Sequence, residues 1–156
     1  MVRTKIIQII SDAKAAHLGT SLSLVEILEA IFKTIDIDKI KSRNETRDRI
    51  ILSKGHGAAA LYTLMHKYGL LTNDEINSYF KNGSFLTGHC SHFTPYIEHS
   101  TGALGHGLSV SLGIAIGLLS KKITSRVFTI VGDGELQEGS NWEACMLAGH
   151  LKTHNL

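Results

Sequence analysis

The run Arg126-Val127-Phe128-Thr129-Ile130-Val131 passes directly into Gly132-Asp133-Gly134-Glu135, and this junction sets the fold. Its first part, rich in β-branched and aromatic side chains, reads as a strand. The glycines that follow let backbone come close to a ligand. Next, Ser140-x-x-Glu143 has the form of a capping box and predicts a helix carrying Trp142 and Met146. Strand, glycine turn and helix in that order point to a parallel α/β unit. Such sheets bind ligands at the carboxyl ends of their strands, which is where Asp133 falls. The helix N-terminus beyond offers free N–H groups and a positive dipole end to an anion. A carboxylate beside phosphate oxygens is a natural Mg2+ ligand. On the tetrapeptide alone, an N-cap aspartate in an ordinary strand-to-helix turn fits equally well.

Upstream, Arg49 to Leu52 reads as a second strand, followed by Ser53-Lys54-Gly55-His56-Gly57 and a helix from Ala58 to about Tyr68, stopped by Gly69. Ile6, Ile9, Ile10 and Ala13 have helical spacing within Thr4 to Ala16. Ser23-x-x-Glu26 predicts a capped helix bearing Leu24, Leu28, Ile31 and Phe32, and Thr72-x-x-Glu75 another that ends near Phe80. Residues 81–103 read as a long loop, and long loops inside a domain are usually functional. Leu104 to Ser120 reads as a buried helix whose Gly113 and Gly117 serve close packing. The expected class is α/β, a parallel sheet flanked by helices. With two strands, and a third expected where His154-Asn155-Leu156 follow a helix, the sheet is expected to be incomplete at the carboxyl end or completed by a partner.

The 156 residues suit one domain over 1–156, at roughly 100–200 residues per domain. A net charge of +2 gives no field to draw in nucleic acid or a membrane. The longest apolar run, Leu112 to Leu119, is far short of the ~20 residues of a membrane span. No signal peptide is recognised, and Cys90 and Cys145 lack a C-x-x-C pattern. Both facts suggest reduced thiols in a cytoplasmic protein.

Nine histidines and 15 glycines against one proline suggest a polar, glycine-lined site for a phosphorylated ligand. His89-x-x-His92 and His99 lack the spaced cysteine or carboxylate of a zinc site. No P-loop is present, and Gly102-x-x-Gly105-x-Gly107 has the wrong order for a dinucleotide fingerprint. His17, His56 and His89 stand beside small residues in loops, where imidazoles can bind phosphate or hydroxyl groups or move protons near neutral pH.

Taken in order, several strings resemble the amino-terminal, diphosphate-binding part of transketolase. They are Ala16-His17-Leu18-Gly19-Thr20-Ser21-Leu22-Ser23, Ser53-Lys54-Gly55-His56-Gly57, Thr87-Gly88-His89, Ser100-Thr101-Gly102-Ala103-Leu104-Gly105-His106-Gly107-Leu108-Ser109 and Gly132-Asp133-Gly134-Glu135-Leu136-Gln137-Glu138-Gly139. The last points to transketolase rather than to a deoxyxylulose phosphate synthase, whose motif diverges after G-D-G.

The resemblance implies a thiamine diphosphate-binding fold and a Mg2+-dependent transfer of a two-carbon ketol unit from a ketose to an aldose. It implies that Asp133 is a Mg2+ ligand and that the Gly134 N–H meets the diphosphate. Gly102, Ala103 and Leu104 would lie against the cofactor rings, and His56 near the diphosphate and the reacting carbon. His17 and His89 would face the sugar phosphate, and Glu138 would belong to a carboxylate network at the boundary between subunits. A pyrimidine-binding carboxy-terminal subunit, in a homo- or hetero-oligomer, would supply the activating glutamate. Alternatives are a truncated, non-catalytic remnant that only associates with a partner, and a synthase of the deoxyxylulose phosphate type. Three departures bear on substrate preference. Ala16-His17-Leu18-Gly19-Thr20-Ser21 stands for G-H-P-G-G-S, His106 for a common glutamine, and Tyr96 for a usual glycine. The family's second side-chain Mg2+ ligand, an asparagine, would fall near position 163, and Asn155 comes too early to be it. The chain alone is therefore expected to be inactive.

Overall fold

Arg49–Leu52 (β1) and Val127–Ile130 (β2) pair in parallel, with Arg49 opposite Val127 and Leu52 opposite Ile130. The structure, a computed structural model, describes residues 1–156. Strand side chains alternate between faces, and the two faces serve different cores. Leu52 and Ile130 join a cluster of 25 buried residues, whereas Ile51 and Val127 join Ala115 and Leu118 in a smaller cluster on the other face.

The helices of the large cluster are α1 (Val2–Asp12), α2 (Leu18–Ser23), α3 (Val25–Thr34), α4 (Ile37–Lys41), α5 (Ala58–Lys67) and α6 (Asn73–Asn77). In α1, Val2, Ile6, Ile9 and Ile10 form the buried stripe. In α5, Ala58, Ala59 and Ala60 are all buried and bring backbones close together. A two-stranded sheet alone buries little, and here the core is mainly helical. The small-cluster face is covered by α7 (Gly107–Ser120), beside α8 (Gly139–Leu151).

The Thr72 capping box forms: its hydroxyl accepts from Glu75 N–H at 3.2 Å and the Glu75 carboxylate accepts from Thr72 N–H at 2.7 Å. The Ser23 box does not. Ser23 Oγ instead donates to the Thr20 carbonyl, the helix breaks at Leu24, and Glu26 pairs with Arg3. The Ser140 box is also absent, because α8 begins earlier, at Gly139, and Ser140 Oγ is drawn to a distant backbone carbonyl. Helix α7 starts at Gly107 rather than Leu104, and Gly113 and Gly117 lie on its open face, where an added methyl would meet nothing within 4 Å. Their expected role in close packing is thus corrected.

The long connection between α6 and α7 contains no regular element. Bonds from α5 and from within the segment fix it: Tyr62 Oη–H of α5 donates to the His89 carbonyl, Thr94 Oγ–H to the Phe85 carbonyl, and Thr101 N–H to the Cys90 carbonyl. At the chain's end, the Asn155 carbonyl accepts from Val127 N–H at 2.8 Å, along the edge of β2 away from β1. The expected third strand is represented by this single contact. No helix is long and apolar enough to cross a membrane.

Candidate functional site

At the carboxyl end of β2 the chain does not enter α8 directly. Gly134–Gln137 forms a 3-10 turn first, within the glycine turn that the sequence places between strand and helix. The Gly132 N–H is taken by Glu135 Oε2 at 3.0 Å. The N–H groups of Asp133 and Gly134 donate to no group of the chain, and the exposed Asp133 carboxylate accepts no hydrogen bond. A methyl group at Gly134 would meet nothing within 4 Å. The turn is therefore an open platform with two free donors and one free carboxylate, the donor set an anion with its divalent cation requires.

Glu135 holds that platform to two other segments. It is 2% exposed and forms no salt bridge. Its Oε1 accepts from Ser53 Oγ–H at 2.5 Å and from Gly105 N–H at 2.9 Å. Its backbone carbonyl accepts from Asn141 Nδ2 at 2.7 Å. A buried carboxylate is tolerable only when its lone pairs are filled, and here three donors fill them. Sequence reasoning missed this role. A glutamate in a glycine turn reads as solvated, and its partners lie 82 and 30 positions away.

The Gly102-Ala103-Leu104-Gly105 segment is held from both sides. The Gly105 carbonyl accepts from Ser140 Oγ–H at 2.6 Å, the tertiary bond that draws Ser140 away from its expected capping role. Gly105 has φ +83, and a methyl there would come within 2.6 Å of Glu138 Cβ. A methyl at Gly107 would lie 2.7 Å from Ser53 Cα, and one at Gly55 2.8 Å from the Thr101 carbonyl carbon. These glycines exist so that β1, the loop and α7 can touch. Ala103 and Leu104 are exposed, so the segment presents an apolar surface. Exposed Glu138 is the N-cap residue of α8 and makes no capping bond with its side chain.

The three histidines singled out from sequence come together. His17 lies 5.3 Å from His56 and 5.5 Å from His89, ring centre to ring centre. His17 has φ +70 at the start of α2, and His56 sits in the 3-10 turn Gly55–Gly57. Gly102, with φ +143, places its Cα where a methyl would touch the His89 ring at 3.3 Å. Burial, then the positive charges of His17, Lys54 and His89, pushes the His56 pKa below the usual imidazole value, against a smaller pull from Glu135. His89 is lowered by burial and by His17. The pair is held towards the neutral form, able to accept a proton or donate one from the remaining N–H.

The contacts form one chain: histidines, Gly102 segment, Gly105, Glu135, and the turn that exposes Asp133. Asn155 is not part of it. Its side chain donates to the Ala115 and Ser125 carbonyls, at the opposite end of β2 from Asp133.

The chain is similar to an apulose-4-phosphate transketolase subunit of Actinobacillus succinogenes, with 40% identity over 99% of this chain and 57% of that protein. It is 35% identical to the 6-deoxy-6-sulfo-D-fructose transketolase subunit SqwG of a Clostridium species, over 100% of this chain and 58% of that protein. It thus spans a little over half the length of these relatives. The crystal structure of transketolase from Campylobacter jejuni superposes with a TM-score of 0.89 at 28% identity, covering 99% of this chain and 26% of that one. A transketolase from Pichia stipitis in complex with sedoheptulose-7-phosphate gives 0.88 at 32% identity, covering 99% and 25%. The fold is therefore the α/β thiamine diphosphate-binding fold. Residues 1–156 match the family described as transketolase, thiamine diphosphate binding domain, from end to end, and the chain belongs to that family.

Proposed function

We propose that this chain is the diphosphate-binding part of a split transketolase. With a pyrimidine-binding partner subunit it moves a two-carbon ketol unit from a ketose to an aldose, sugar phosphates being the substrate class. The observation that carries this reading is the continuity of the Asp133 platform with the His17, His56 and His89 cluster through the glycine segment tied by Glu135.

The residues fit the cofactor. Asp133 would hold Mg2+, the Asp133 and Gly134 N–H groups would meet the diphosphate oxygens, and Gly102, Ala103 and Leu104 would lie against the rings. Bound there, thiamine diphosphate would supply the nucleophilic carbon that ketol transfer needs. The chain's residues do the rest. His56, displaced towards the neutral form, receives or returns a proton near the reacting carbon. His17 and His89 orient and exchange protons with sugar hydroxyls. Glu138 extends to the subunit boundary.

The test has two parts. Isothermal titration of the chain with thiamine diphosphate and Mg2+, with a carboxy-terminal subunit supplied, reads cofactor binding. Ketol transfer from a ketose phosphate donor reads activity. Transfer that requires both chains is the expected result. Absence of cofactor binding with the partner present would indicate a non-catalytic remnant, and use of pyruvate as donor a synthase of the deoxyxylulose phosphate type.

A further inference from the structure

Beside His17 and His89 lies a cavity of about 160 Å3 whose other walls are Ala15, Ala16, Tyr79, Phe80 and Gly88. No lysine, arginine or carboxylate lines it. Three features single out Phe80. Its φ is +58, a left-handed backbone that a bulky side chain adopts only when its surroundings impose it. The residue is 55% exposed, yet it is not loose. The Phe80 N–H donates to the Leu86 carbonyl at 2.8 Å, and the ring lies against Gly88, where a methyl would come within 2.7 Å of Cε2. Behind it stands Tyr79, 3% exposed and 6.0 Å from the Phe80 ring, which in turn meets Tyr62 at 6.2 Å. A fixed aromatic face on a buried aromatic support is thus turned towards the cavity that adjoins the histidines.

We propose that this cavity is a sugar subsite in which Phe80 stacks on the C–H face of an uncharged part of the substrate carbon chain. The phosphate end is excluded, because the walls offer it no cation. Phe80 is then a specificity-determining residue, and glycine at position 88 leaves the ring its place, since a methyl there would come within 2.7 Å of Phe80 Cε2 and displace it. The proposal rests on the function proposed above only for the sugar as substrate class. Strain at Phe80 is concentrated where a ligand would use it, next to groups suited to its hydroxyls.

Saturation-transfer NMR on the full chain, with D-xylulose and D-xylulose 5-phosphate as probes, tests this without turnover. The wild-type chain is expected to transfer saturation to the sugar C–H protons of both probes. Phe80→Ala is expected to reduce the signal at least threefold, Gly88→Ala to reduce it by displacing the ring, and Phe80→Tyr to retain it. Circular dichroism reports whether each variant is folded, and the retained signal of Phe80→Tyr keeps the test valid if Phe80→Ala is not. No saturation in the wild type, equal signals in wild type and folded Phe80→Ala, or a phosphorus resonance of the sugar phosphate that shifts with Phe80→Ala would each overturn the subsite. A failure of ketol transfer sinks the proposed function but leaves this signal intact, so the two readings fail separately.

Discussion

The Glu135 carboxylate meets the Ser53 hydroxyl at 2.5 Å across 82 positions of sequence, at the point where β1 and β2 both end. The same carboxylate takes the N–H groups of Gly105 and Gly132, so one buried side chain sets the spacing of three segments. Replacing it by glutamine turns an NH2 group towards donors that need an acceptor. At least one buried donor is then unsatisfied, at a cost of about 1–3 kcal/mol. Thermal unfolding of Glu135→Gln is expected to show a midpoint lowered by roughly 2–12 °C, at about 2–4 °C per kcal/mol for a domain of this size. A midpoint within 1 °C of wild type would mean that the carboxylate is not the tie.

Gly107 gives a second probe of the same junction. A methyl at this position would lie 2.7 Å from Ser53 Cα, a backbone atom that cannot rotate aside. Gly107→Ala must push α7 from β1, and overpacking of this kind costs about 1–3 kcal/mol. Gly113→Ala on the same helix meets no atom within 4 Å and replaces glycine by the best helix former. The first variant is expected to unfold earlier and the second no earlier than wild type. Equal midpoints would contradict the close approach.

The elements that could be read locally were the ones whose signals are local. Both strands, the Thr72 box and the α1 stripe depend on residues within a few positions of one another. His17, His56 and His89 were singled out individually, but their meeting needs the fold. What failed depended on distant partners. Ser140 resembles a capping residue until Gly105 claims its hydroxyl, and Glu135 looks solvated until Ser53 and Gly105 arrive. Gly113 and Gly117 look like packing residues because composition does not say which face of α7 is covered. Phe80 gave no local signal at all, since a left-handed backbone at phenylalanine is imposed by its surroundings.

The histidine cluster makes stability depend on pH in a defined direction. His56 and His89 have folded pKa values below the unfolded imidazole value of about 6.5. In that window the unfolded chain binds more protons, so these groups favour folding less as pH falls from about 7 through their folded values. The unfolding midpoint is expected to drop between pH 7.5 and pH 5 at constant ionic strength, and to drop less in His56→Gln. An equal drop in both proteins would remove His56 from the account.

Glu98 joins two arginines. It accepts from Arg47 at Nε (2.9 Å) and Nη2 (3.0 Å), and Arg49 Nε lies 3.6 Å away. These side chains are 11–20% exposed, so solvent screens them little. The Arg49 pKa is lowered by burial and then by the Arg47 charge, against the pull of Glu98. Glu98→Gln removes the carboxylate that pairs with both arginines, leaving only the weaker pull of Asp48 and Glu45 on Arg49. A loss of about 1–3 kcal/mol is expected in urea unfolding, with the slope unchanged. Arg3→Gln, which removes an exposed and solvent-screened pair, is the contrast and is expected to leave the urea midpoint nearly unchanged. Comparable losses in the two variants would refute the special standing of Glu98.

Asp133 separates binding from folding. Its carboxylate is exposed and accepts no hydrogen bond, so Asp133→Asn is expected to leave the midpoint of the cofactor-free chain within 1 °C of wild type. Under the proposed function the same carboxylate holds the cation that anchors the diphosphate. A ligand at 100 times its dissociation constant stabilises the folded state by about 2.7 kcal/mol. With thiamine diphosphate and Mg2+ at that excess, and the partner subunit present, the wild-type midpoint is expected to rise by roughly 5–10 °C. The rise is expected to vanish in Asp133→Asn and when Mg2+ is chelated. It is expected to persist in Glu143→Gln, an exposed carboxylate on α8 that makes no bond to the platform. A shift that survives Asp133→Asn would place the cation elsewhere, and a loss in Glu143→Gln as well would reduce the effect to net charge.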